Sequence, residues 1–518
     1  MKIIIQNIKM PVGHTEQQVI AAAQEIVRSA SVSAKNFCIY KQSIDARRKH
    51  NIHFIYSVLA ECPDGTQPDD EKIQTFQEIQ SLEIPQRDLR HRPVVVGMGP
   101  CGLFAAYVLA QSGNPPLLVE RGENVDKRTE DVERFWKNGI LKPNSNVQFG
   151  EGGAGTFSDG KLNTRISDPR QRFILHTFVK FGAPRDILYR ANPHIGTDLL
   201  KNVIKNMRQA LIEMGVEIRF QTELTDLQIT DKKISGIVLN DSESVPCSAL
   251  ILAIGHSSRD TYQMLAERNV FLQPKAFAAG VRIEHKRTYV DAMQYGQENL
   301  GLPTANYRLV YNGKERSCYS FCMCPGGTIV NASSEEGRLV INGMSEHARM
   351  AENSNSALVV NVRPEDYGNT PLGGIEFQRK YEHLAFVLGG EDYAAPVQLA
   401  RDFLKDQPSV AFGSVSPSFT GKVKFAELKN CLPPFITAAL RDGLMNFERK
   451  MKGFALGDGI LTGVEMRTSA PLCITRDKNL QSVGLAGLYP AGEGAGYAGG
   501  IMSAALDGIR TALAVLDR

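Results

Sequence analysis

The segment Val94-Val95-Val96-Gly97-Met98-Gly99-Pro100-Cys101-Gly102 begins with three β-branched residues and ends in a Gly-x-Gly-x-x-Gly pattern. This order is typical of a buried strand that leads through a tight turn into a helix. Gly97 permits the turn, Gly99 leaves the backbone open, and Gly102 lets the helix pack on the strand. Unpaired amides at the start of such a helix attract phosphate groups. The segment therefore predicts a βαβ unit that binds the pyrophosphate of a dinucleotide.

A second apolar strand, Leu117 to Val119, follows that helix and leads directly to Glu120 and Arg121. A carboxylate at the end of the second strand can accept hydrogen bonds from both hydroxyls of an adenosine ribose. The position of Glu120 thus predicts a dinucleotide with a free 2′-hydroxyl. It does not distinguish FAD from NAD.

A glycine cluster near the C-terminus, Gly492 to Ile501, precedes a helix of small residues. In flavoproteins of the glutathione reductase type, a short strand, a Gly-Glu pair and a glycine-opened helix close the FAD site. Glu493 would then bind a ribityl hydroxyl, and the helix N-terminus would stabilise negative charge on the reduced ring. The alternative is an ordinary glycine-rich loop before a terminal helix. An apolar strand from Ala249 that ends at Gly255 is predicted to join the same sheet.

The run from Asn146 to Leu162 is too rich in glycine for a helix and too polar for a core. Successive bare amides form a nest for phosphate or for flavin carbonyls, and Ser158 and Lys161 can act as donors. The backbone from Thr222 to Leu224 is expected to reach the adenine.

These blocks resemble a family of bacterial FAD-dependent dehydrogenases with a conserved C-terminal domain, kin to the glutathione-reductase-like flavoproteins. The resemblance rests on Gly150 to Leu162, Pro193 to Asp198, Asn342 to Ser345 and Gly492 to Ile501. It implies noncovalent FAD and redox chemistry, with no assigned substrate. The cofactor-binding residues predicted in this way are Gly97, Gly99, Pro100, Cys101, Gly102, Glu120, Arg121, Arg128, Gly153, Gly155, Thr156, Ser158, Gly160, Lys161, Leu162, Leu224, Gly255, Gly492, Glu493, Gly499, Gly500 and Ile501.

The chain is predicted to be of the α/β class, with a discontinuous Rossmann-like FAD-binding domain of the glutathione reductase type. Residues 1–90 are read as an N-terminal α+β module, ferredoxin-like in outline, and residues 91–274 as the first part of the FAD-binding domain. Residues 275–453 carry no second Gly-x-Gly-x-x-Gly unit, so they are read as an inserted α/β substrate domain rather than an NAD domain. Residues 454–518 return to the FAD-binding domain.

Composition favours a cytoplasmic enzyme with a small-molecule substrate. A net charge of +3 over 518 residues gives no global attraction to nucleic acid or to an anionic membrane. The apolar run at the N-terminus is too short for the core of a signal peptide, and no run approaches the roughly 18 apolar residues of a membrane span. A homo-oligomer is compatible with the sequence, and nothing in it decides the point.

Nine cysteines are scattered along the chain, and the only cluster is Cys318, Cys322 and Cys324. Their spacing is neither the usual zinc pattern nor the C-x4-C redox pair of the disulfide reductases. The alternation around Phe321 predicts a strand that leads into a turn. A structural role, a thiol in the substrate pocket and a metal ligand all remain open; no metal site is predicted.

Candidate catalytic residues are His194, His256, His347, Arg349 and Arg467. Each histidine lies beside a predicted turn, and imidazole exchanges protons near neutrality. Arg349 could clamp a substrate carboxylate with two hydrogen bonds, or the polar residues around it could simply saturate a loop. Glu465 and Arg467 are expected near the flavin ring, and an interdomain salt bridge is the alternative.

The predicted activity is that of an FAD-dependent oxidoreductase, in which hydride passes through flavin N5 to or from a small molecule, with NADH or NADPH as a transient donor. An alternative is a flavin-containing RNA-binding or RNA-modifying protein that uses the basic loop Arg47-Arg48-Lys49. A noncatalytic scaffold that holds FAD is a third hypothesis.

Overall fold

The computed structural model describes residues 1–77, 82–296 and 301–517. Three larger sheets organise this part of the chain: a four-stranded sheet at the N-terminus, a five-stranded parallel sheet and a seven-stranded sheet. The mixed α/β class predicted from the sequence is confirmed. Helices are formed by Glu16–Ser29, Pro100–Gln111, Val125–Asn138, Gln171–Lys180, Thr197–Glu213, Arg259–Glu267, Arg287–Tyr295, Gly373–Gly389, Ala400–Lys405, Pro434–Lys450 and Ile501–Leu516.

The N-terminal module is an antiparallel sheet covered by one helix. Its strands, in spatial order, are Lys35–Asp45, His53–Glu61, Lys2–Pro11 and Ile73–Phe76. Helix Glu16–Ser29 starts at the predicted capping box, since the Thr15 hydroxyl accepts from the Gln18 amide and the Gln18 side chain accepts from the Thr15 amide. A ferredoxin-like unit has a second helix between its last two strands, whereas residues 62–72 form a loop.

The parallel sheet carries the Gly-x-Gly-x-x-Gly turn at the end of its central strand. Its strands, in spatial order, are Leu488–Pro490, Leu250–Leu252, Val94–Val96, Leu117–Val119 and Glu217–Arg219, and every neighbouring pair is parallel. The three strands that the sequence analysis assigned to this unit or its surroundings, Val94–Val96, Leu117–Val119 and Leu250–Leu252, are buried. The carboxyl ends of the strands therefore meet at one edge, where open α/β sheets bind their ligands.

Helix Pro100–Gln111 is buried on all sides because the C-terminal helix Ile501–Leu516 packs against its outer face. Glycine makes this contact close. A Cβ atom at Gly508 would lie 2.1 Å from the carbonyl oxygen of Cys101. The C-terminal helix is therefore held against the first turn of helix Pro100–Gln111, although Gly508 and Cys101 lie far apart in sequence.

The antiparallel sheet of Leu224–Thr230, Lys233–Leu239 and Glu243–Pro246 lies in sequence between the parallel strands Glu217–Arg219 and Leu250–Leu252. Two further pairs join distant segments. Leu272–Pro274 pairs with Leu472–Ile474, and Thr328–Asn331 pairs with Ile341–Met344.

The seven-stranded sheet forms the second large domain. Its strands, in spatial order, are Val310–Asn312, Ser317–Cys324, Asn353–Val362, Phe277–Lys286, Ile460–Glu465, Ala395–Leu399 and Val423–Phe425. The fifth of these lies beyond residue 453, where the sequence analysis ended the inserted domain. Its apolar residues complete the middle of this sheet, so the chain leaves the domain only after Glu465. The predicted division into domains otherwise stays a prediction.

Among the described residues, no helix is both long enough and apolar enough to cross a membrane.

Candidate active site

Steric limits on the backbone explain the glycines of the first turn. Gly97 has φ +96°, and a Cβ atom there would lie 2.3 Å from the carbonyl oxygen of Ala253 on the neighbouring strand. A Cβ atom at Gly102 would lie 1.8 Å from the carbonyl oxygen of Gly97. The helix begins at Pro100 and Gly99 offers no side chain as a cap. Its first amides are therefore left free for an anion.

Glu120 joins this turn to the glycine-rich loop. One carboxylate oxygen accepts from the Met98 amide at 2.8 Å, and the other accepts from the amides of Gly122 at 2.9 Å and Gly150 at 3.0 Å. The side chain is buried, yet it lines the central cavity described below. A carboxylate has about four acceptor positions, so one position remains for a ligand hydroxyl.

Arg128 lies beneath the glycine-rich loop. Its guanidinium donates to the carbonyl oxygens of five loop residues, namely Asn146, Val147, Gly150, Glu151 and Gly153. Burial lowers the pKa of Arg128 to about 10, so it remains a cation at neutral pH. The sequence analysis assigned Arg128 to the cofactor. The structure instead places it outside the cavity, where it fixes the path of the loop.

Three glycine-bearing segments converge on one point. A Cβ atom at Gly153 would lie 2.9 Å from the Cα atom of Gly99, and one at Gly155 would lie 3.0 Å from the Ile501 side chain. The first turn, the glycine-rich loop and the N-terminus of the C-terminal helix therefore face one another across the same space. Side chains larger than hydrogen would fill it.

The C-terminal cluster is held against the segment that follows strand Leu250–Leu252. The Tyr262 hydroxyl donates to the carbonyl oxygen of Gly494 at 2.7 Å and lies 3.2 Å from that of Gly255. Asp507 accepts from the Gly492 amide at 2.7 Å. Burial raises the pKa of Glu493 to about 7, against the opposing charge of Lys275. Glu493 can therefore be protonated or ionised near neutrality, according to what binds beside it.

These segments line a central cavity between the parallel sheet and the seven-stranded sheet. The predicted cofactor residues that line it are Gly97, Gly99, Pro100, Cys101, Glu120, Arg121, Gly153, Gly155, Ser158, Gly160, Lys161, Leu224, Gly255, Glu493, Gly499, Gly500 and Ile501. The predicted cofactor residues that do not line it are Gly102, Arg128, Thr156, Leu162 and Gly492. These five are all buried and support the lining residues from behind.

The other end of the cavity is formed by the second domain. Phe321, Cys322, Asn342, Glu465 and Thr468 line it there. Burial raises the pKa of Glu465 to about 7, and its carboxylate lies 3.4 Å from Nε of the fully buried Arg282. A carboxyl group with such a pKa can exchange a proton near neutrality.

Arg349 is engaged within the protein. Its Nε donates to one oxygen of Asp159 at 2.9 Å and its Nη2 to the other at 2.5 Å. Burial opposes ionisation of Asp159, but Lys161 and Arg349 lower its pKa to about 2. The predicted two-bond clamp therefore exists, but its carboxylate is Asp159 rather than a substrate, and Arg349 does not line the cavity.

Only one of the three candidate histidines reaches the cavity. His256 lines it, and burial together with Arg467 and Arg259 lowers its pKa to about 3. His194 stacks on His347 with ring centroids 5.1 Å apart, and burial lowers the pKa of His194 to about 3 as well. Neutral imidazoles of this kind accept or donate hydrogen bonds but resist protonation at neutral pH.

Arg467 lines the cavity and is part of a buried cluster of charged side chains. Its Nε and Nη2 donate to the two oxygens of Glu382 at 2.9 and 2.7 Å, and Arg259 donates to the same carboxylate. Burial opposes the charge of Glu382, but the two guanidinium groups lower its pKa to about 2. Arg467 therefore pairs with Glu382 across the second domain, and not with Glu465, its neighbour in sequence.

Sequence reasoning missed several residues that form the walls. The lining residues not singled out from the sequence are Val96, Met98, Gln148, Phe149, Gly150, Ala154, Asp159, Asn163, Ala253, Ile254, Ser257, Ser258, Thr261, Phe321, Asn342, Thr468 and Ala504. Many lie within or beside the motifs already noted, so extension of each motif by one or two positions would have found them. Phe321 and Thr468 carry no local signal of a site, because they reach the cavity only through the long-range topology of the second domain.

A parallel sheet with a glycine turn at its central strand, a buried carboxylate at the end of the next strand and a cavity at the strand ends is the arrangement of dinucleotide-binding proteins of the mixed α/β class. Residues 276–468 match the family described as "FAD-dependent protein, C-terminal domain-like", and residues 1–61 match "Domain of unknown function (DUF8436)". The predicted resemblance to FAD-dependent proteins with this C-terminal domain is confirmed. Kinship with glutathione reductase stays a prediction.

A protein of Clostridium beijerinckii, named "Uncharacterized protein", is 52% identical over 491 residues, which are 93% of this chain and 92% of that protein. The chain belongs to the family of this protein.

Solved structures are far more distant. An L-amino acid deaminase from Proteus vulgaris aligns with 41% of this chain and 64% of its own, at 14% identity and a TM-score of 0.25. CtdE in complex with FAD aligns over 82% and 83% of the two chains, at 11% identity and a TM-score of 0.32. A geranylgeranyl bacteriochlorophyll reductase-like protein from Thermoplasma acidophilum covers 82% and 77%, at 13% identity and a TM-score of 0.36. With TM-scores this low, we draw no conclusion about this chain from these structures.

Proposed function

We infer that this protein is a cytoplasmic FAD-dependent oxidoreductase that acts on a small molecule in the central cavity. One observation carries the inference: three glycine-bearing segments, far apart in sequence, meet around one cavity at the carboxyl ends of a parallel sheet. The match of residues 276–468 to proteins described as FAD-dependent supports FAD over NAD as the resident dinucleotide.

The residues present fit the parts of FAD. Glu120 keeps an acceptor position for the adenosine ribose, and the amides that follow Pro100 in the first turn of helix Pro100–Gln111, which no side chain caps, suit the pyrophosphate. Glu493 lies where the C-terminal cluster faces the cavity and fits a ribityl hydroxyl. The N-terminus of helix Ile501–Leu516 points its positive end toward the same space. When bound, FAD supplies hydride acceptance and donation at N5 of its ring.

The protein contributes placement and proton control. Glu465 lines the cavity and can hold or release a proton near neutrality because burial raises its pKa to about 7. The nearby guanidinium of Arg282 limits that rise and fixes the carboxylate at 3.4 Å. We expect Glu465 to exchange a proton with a polar group of the substrate. His256 is kept neutral and orients rather than protonates.

The electron donor is tested by anaerobic reduction of the FAD-loaded protein. We expect NADH, NADPH or a compound from a metabolite library to reduce the flavin and so to decrease its absorbance at about 450 nm. The matched variant Glu465→Gln should retain FAD and lose at least about tenfold in the reduction or reoxidation rate, the usual scale for a lost acid–base group. A bound flavin that no compound reduces would contradict the proposal and favour the noncatalytic scaffold.

The RNA-binding alternative gains no support from the basic loop. Arg47 donates to both oxygens of Asp45 at 2.9 and 2.5 Å, so part of its charge is already neutralised. We therefore propose no nucleic-acid function.

A further inference from the structure

Two cysteines lie at the end of the cavity formed by the second domain. Cys322 lines the cavity, while Cys324, two residues further along the strand Ser317–Cys324, is fully buried behind it. In a regular strand, residues two apart are separated by about 6.5 Å and point to the same face. Here the strand is not regular between the two cysteines.

A bulge brings the cysteines closer together. Phe321 pairs with Ala357 and Cys324 with Asn355, so three steps on one strand oppose two on the other. Cys322 has φ +41°, which turns the chain out of the extended conformation. The Cys324 thiol donates to the carbonyl oxygen of Cys322 at 3.4 Å. A disulfide needs Cα atoms within about 4.4–6.8 Å, and a bulged segment meets that limit more readily than an extended one.

Positive charges surround this pair. Arg282 is fully buried and donates from Nη2 to the carbonyl oxygen of Cys322 at 2.9 Å. A hydrogen bond from Cys324, together with the charges of Lys161 and Arg282, holds the pKa of Cys322 well below its usual range, against burial and Asp159. The same hydrogen bond and burial raise the pKa of Cys324. This asymmetry matches a reactive thiolate with a protected partner thiol.

The acidic groups that face Cys322 do not cancel this effect. Burial is the main cause that raises the pKa of Glu465 and of Glu493 to about 7, and the charge of Cys322 adds to it. By contrast, burial alone raises the pKa of Cys247, and of Cys318 at the other end of the same strand, to about 12. Cys322 therefore differs in kind from the cysteines that only fill the core.

We propose that Cys322 and Cys324 form a dithiol–disulfide couple that exchanges two electrons with FAD and, through Cys322, with thiol compounds that enter the cavity. The role of FAD in this couple rests on the proposed function. When the two thiols lose two electrons and two protons, an Sγ–Sγ bond forms. The electrons and one proton convert FAD to FADH⁻, and the second proton passes to solvent. A dithiol substrate then reduces the disulfide by exchange at Cys322 and leaves as its own disulfide.

The first test uses the full chain without FAD. The protein is oxidised with diamide, unfolded in iodoacetamide and mapped by mass spectrometry. We expect the single peptide that contains residues 322 and 324 to be lighter than its dithiol form by two hydrogen atoms, with neither cysteine alkylated. Cys322→Ser and Cys324→Ser should each abolish that mass difference, whereas the control Cys473→Ser, which changes a half-buried cysteine in another strand, should retain it. Full alkylation of both cysteines in the oxidised wild-type protein would overturn the proposal.

The second test uses the FAD-loaded protein under anaerobic conditions. Dithiothreitol should reduce the flavin at least about tenfold faster in the wild type than in Cys322→Ser, because exchange needs the accessible sulfur. Equal rates in the two proteins would show that the couple does not transfer electrons to FAD. A chain that binds no FAD would instead refute the proposed function, while the alkylation result would still stand or fall independently.

Discussion

Glu120→Gln is the substitution that most directly tests how the cofactor end is built. In the wild type, three backbone amides donate to this carboxylate, two to one oxygen and one to the other. A glutamine keeps only one oxygen. If that oxygen accepts from the amides of Gly122 and Gly150, the new side-chain NH2 group lies against the Met98 N–H. Both groups are hydrogen-bond donors, so the Met98 N–H loses its acceptor.

The magnitude follows from these contacts. An unsatisfied buried N–H costs about 1–3 kcal/mol, and the two remaining bonds weaken because they no longer have a charged acceptor. We therefore expect the free energy of unfolding to fall by about 2–4 kcal/mol. The loss of a charged acceptor for the ribose should weaken FAD binding by about 10- to 100-fold, which corresponds to one charge-assisted hydrogen bond.

Urea unfolding and fluorescence titration of deflavinated protein with FAD measure the two effects. Glu217→Gln is the matched control, because the Glu217 carboxylate forms partly exposed ion pairs with Arg92 and Arg219. Such pairs contribute about 1 kcal/mol or less, and this strand end lies outside the cavity. A Glu120→Gln protein that unfolds and binds FAD like the control would refute the assigned role of Glu120.

Three further predictions concern groups outside the ribose site. Arg128→Lys should loosen the glycine-rich loop, because one ammonium cannot replace a guanidinium that serves five carbonyls; hydrogen exchange of residues 146–153 should rise, and unchanged exchange would contradict this. Glu382→Gln should lower the free energy of unfolding by about 3–5 kcal/mol, because two buried guanidinium groups lose their anion; denaturant titration checks it. The folded pKa of Glu465 is raised from 4.5 to about 7, so the wild type loses stability as pH rises through that window. Glu465→Gln should match the wild type at about pH 4 and exceed it by up to about 3 kcal/mol at about pH 8, and a pH-independent difference would refute the raised pKa.

The cofactor end could be predicted from sequence because its signals are local. Gly97, Gly102 and Glu120 act within one βαβ unit, where spacing fixes geometry, and the structure places them as expected. The strand ending at Gly255 and the helix after Gly500 were also predicted, since apolar runs bounded by glycine mark buried elements. Arg128 was assigned to the cofactor because its position in sequence cannot show which side of a loop a long side chain reaches.

The substrate end could not be predicted in the same way. Cys322 and Glu465 lie more than 140 positions apart in sequence, on strands that two others separate in the seven-stranded sheet, and both line the cavity only because of the fold of this domain. Glu382 likewise pairs with Arg467 over 85 positions. No periodicity or motif encodes such long-range pairing, so the partners of Arg349 and Arg467 were left open and proved to lie within the protein.

FAD titration of the deflavinated wild-type chain tests the central claim most directly. The account predicts saturable quenching of flavin fluorescence at one FAD for each chain, with the bound flavin reduced by a nicotinamide or a thiol under anaerobic conditions. A chain that shows no saturable binding of FAD would contradict it.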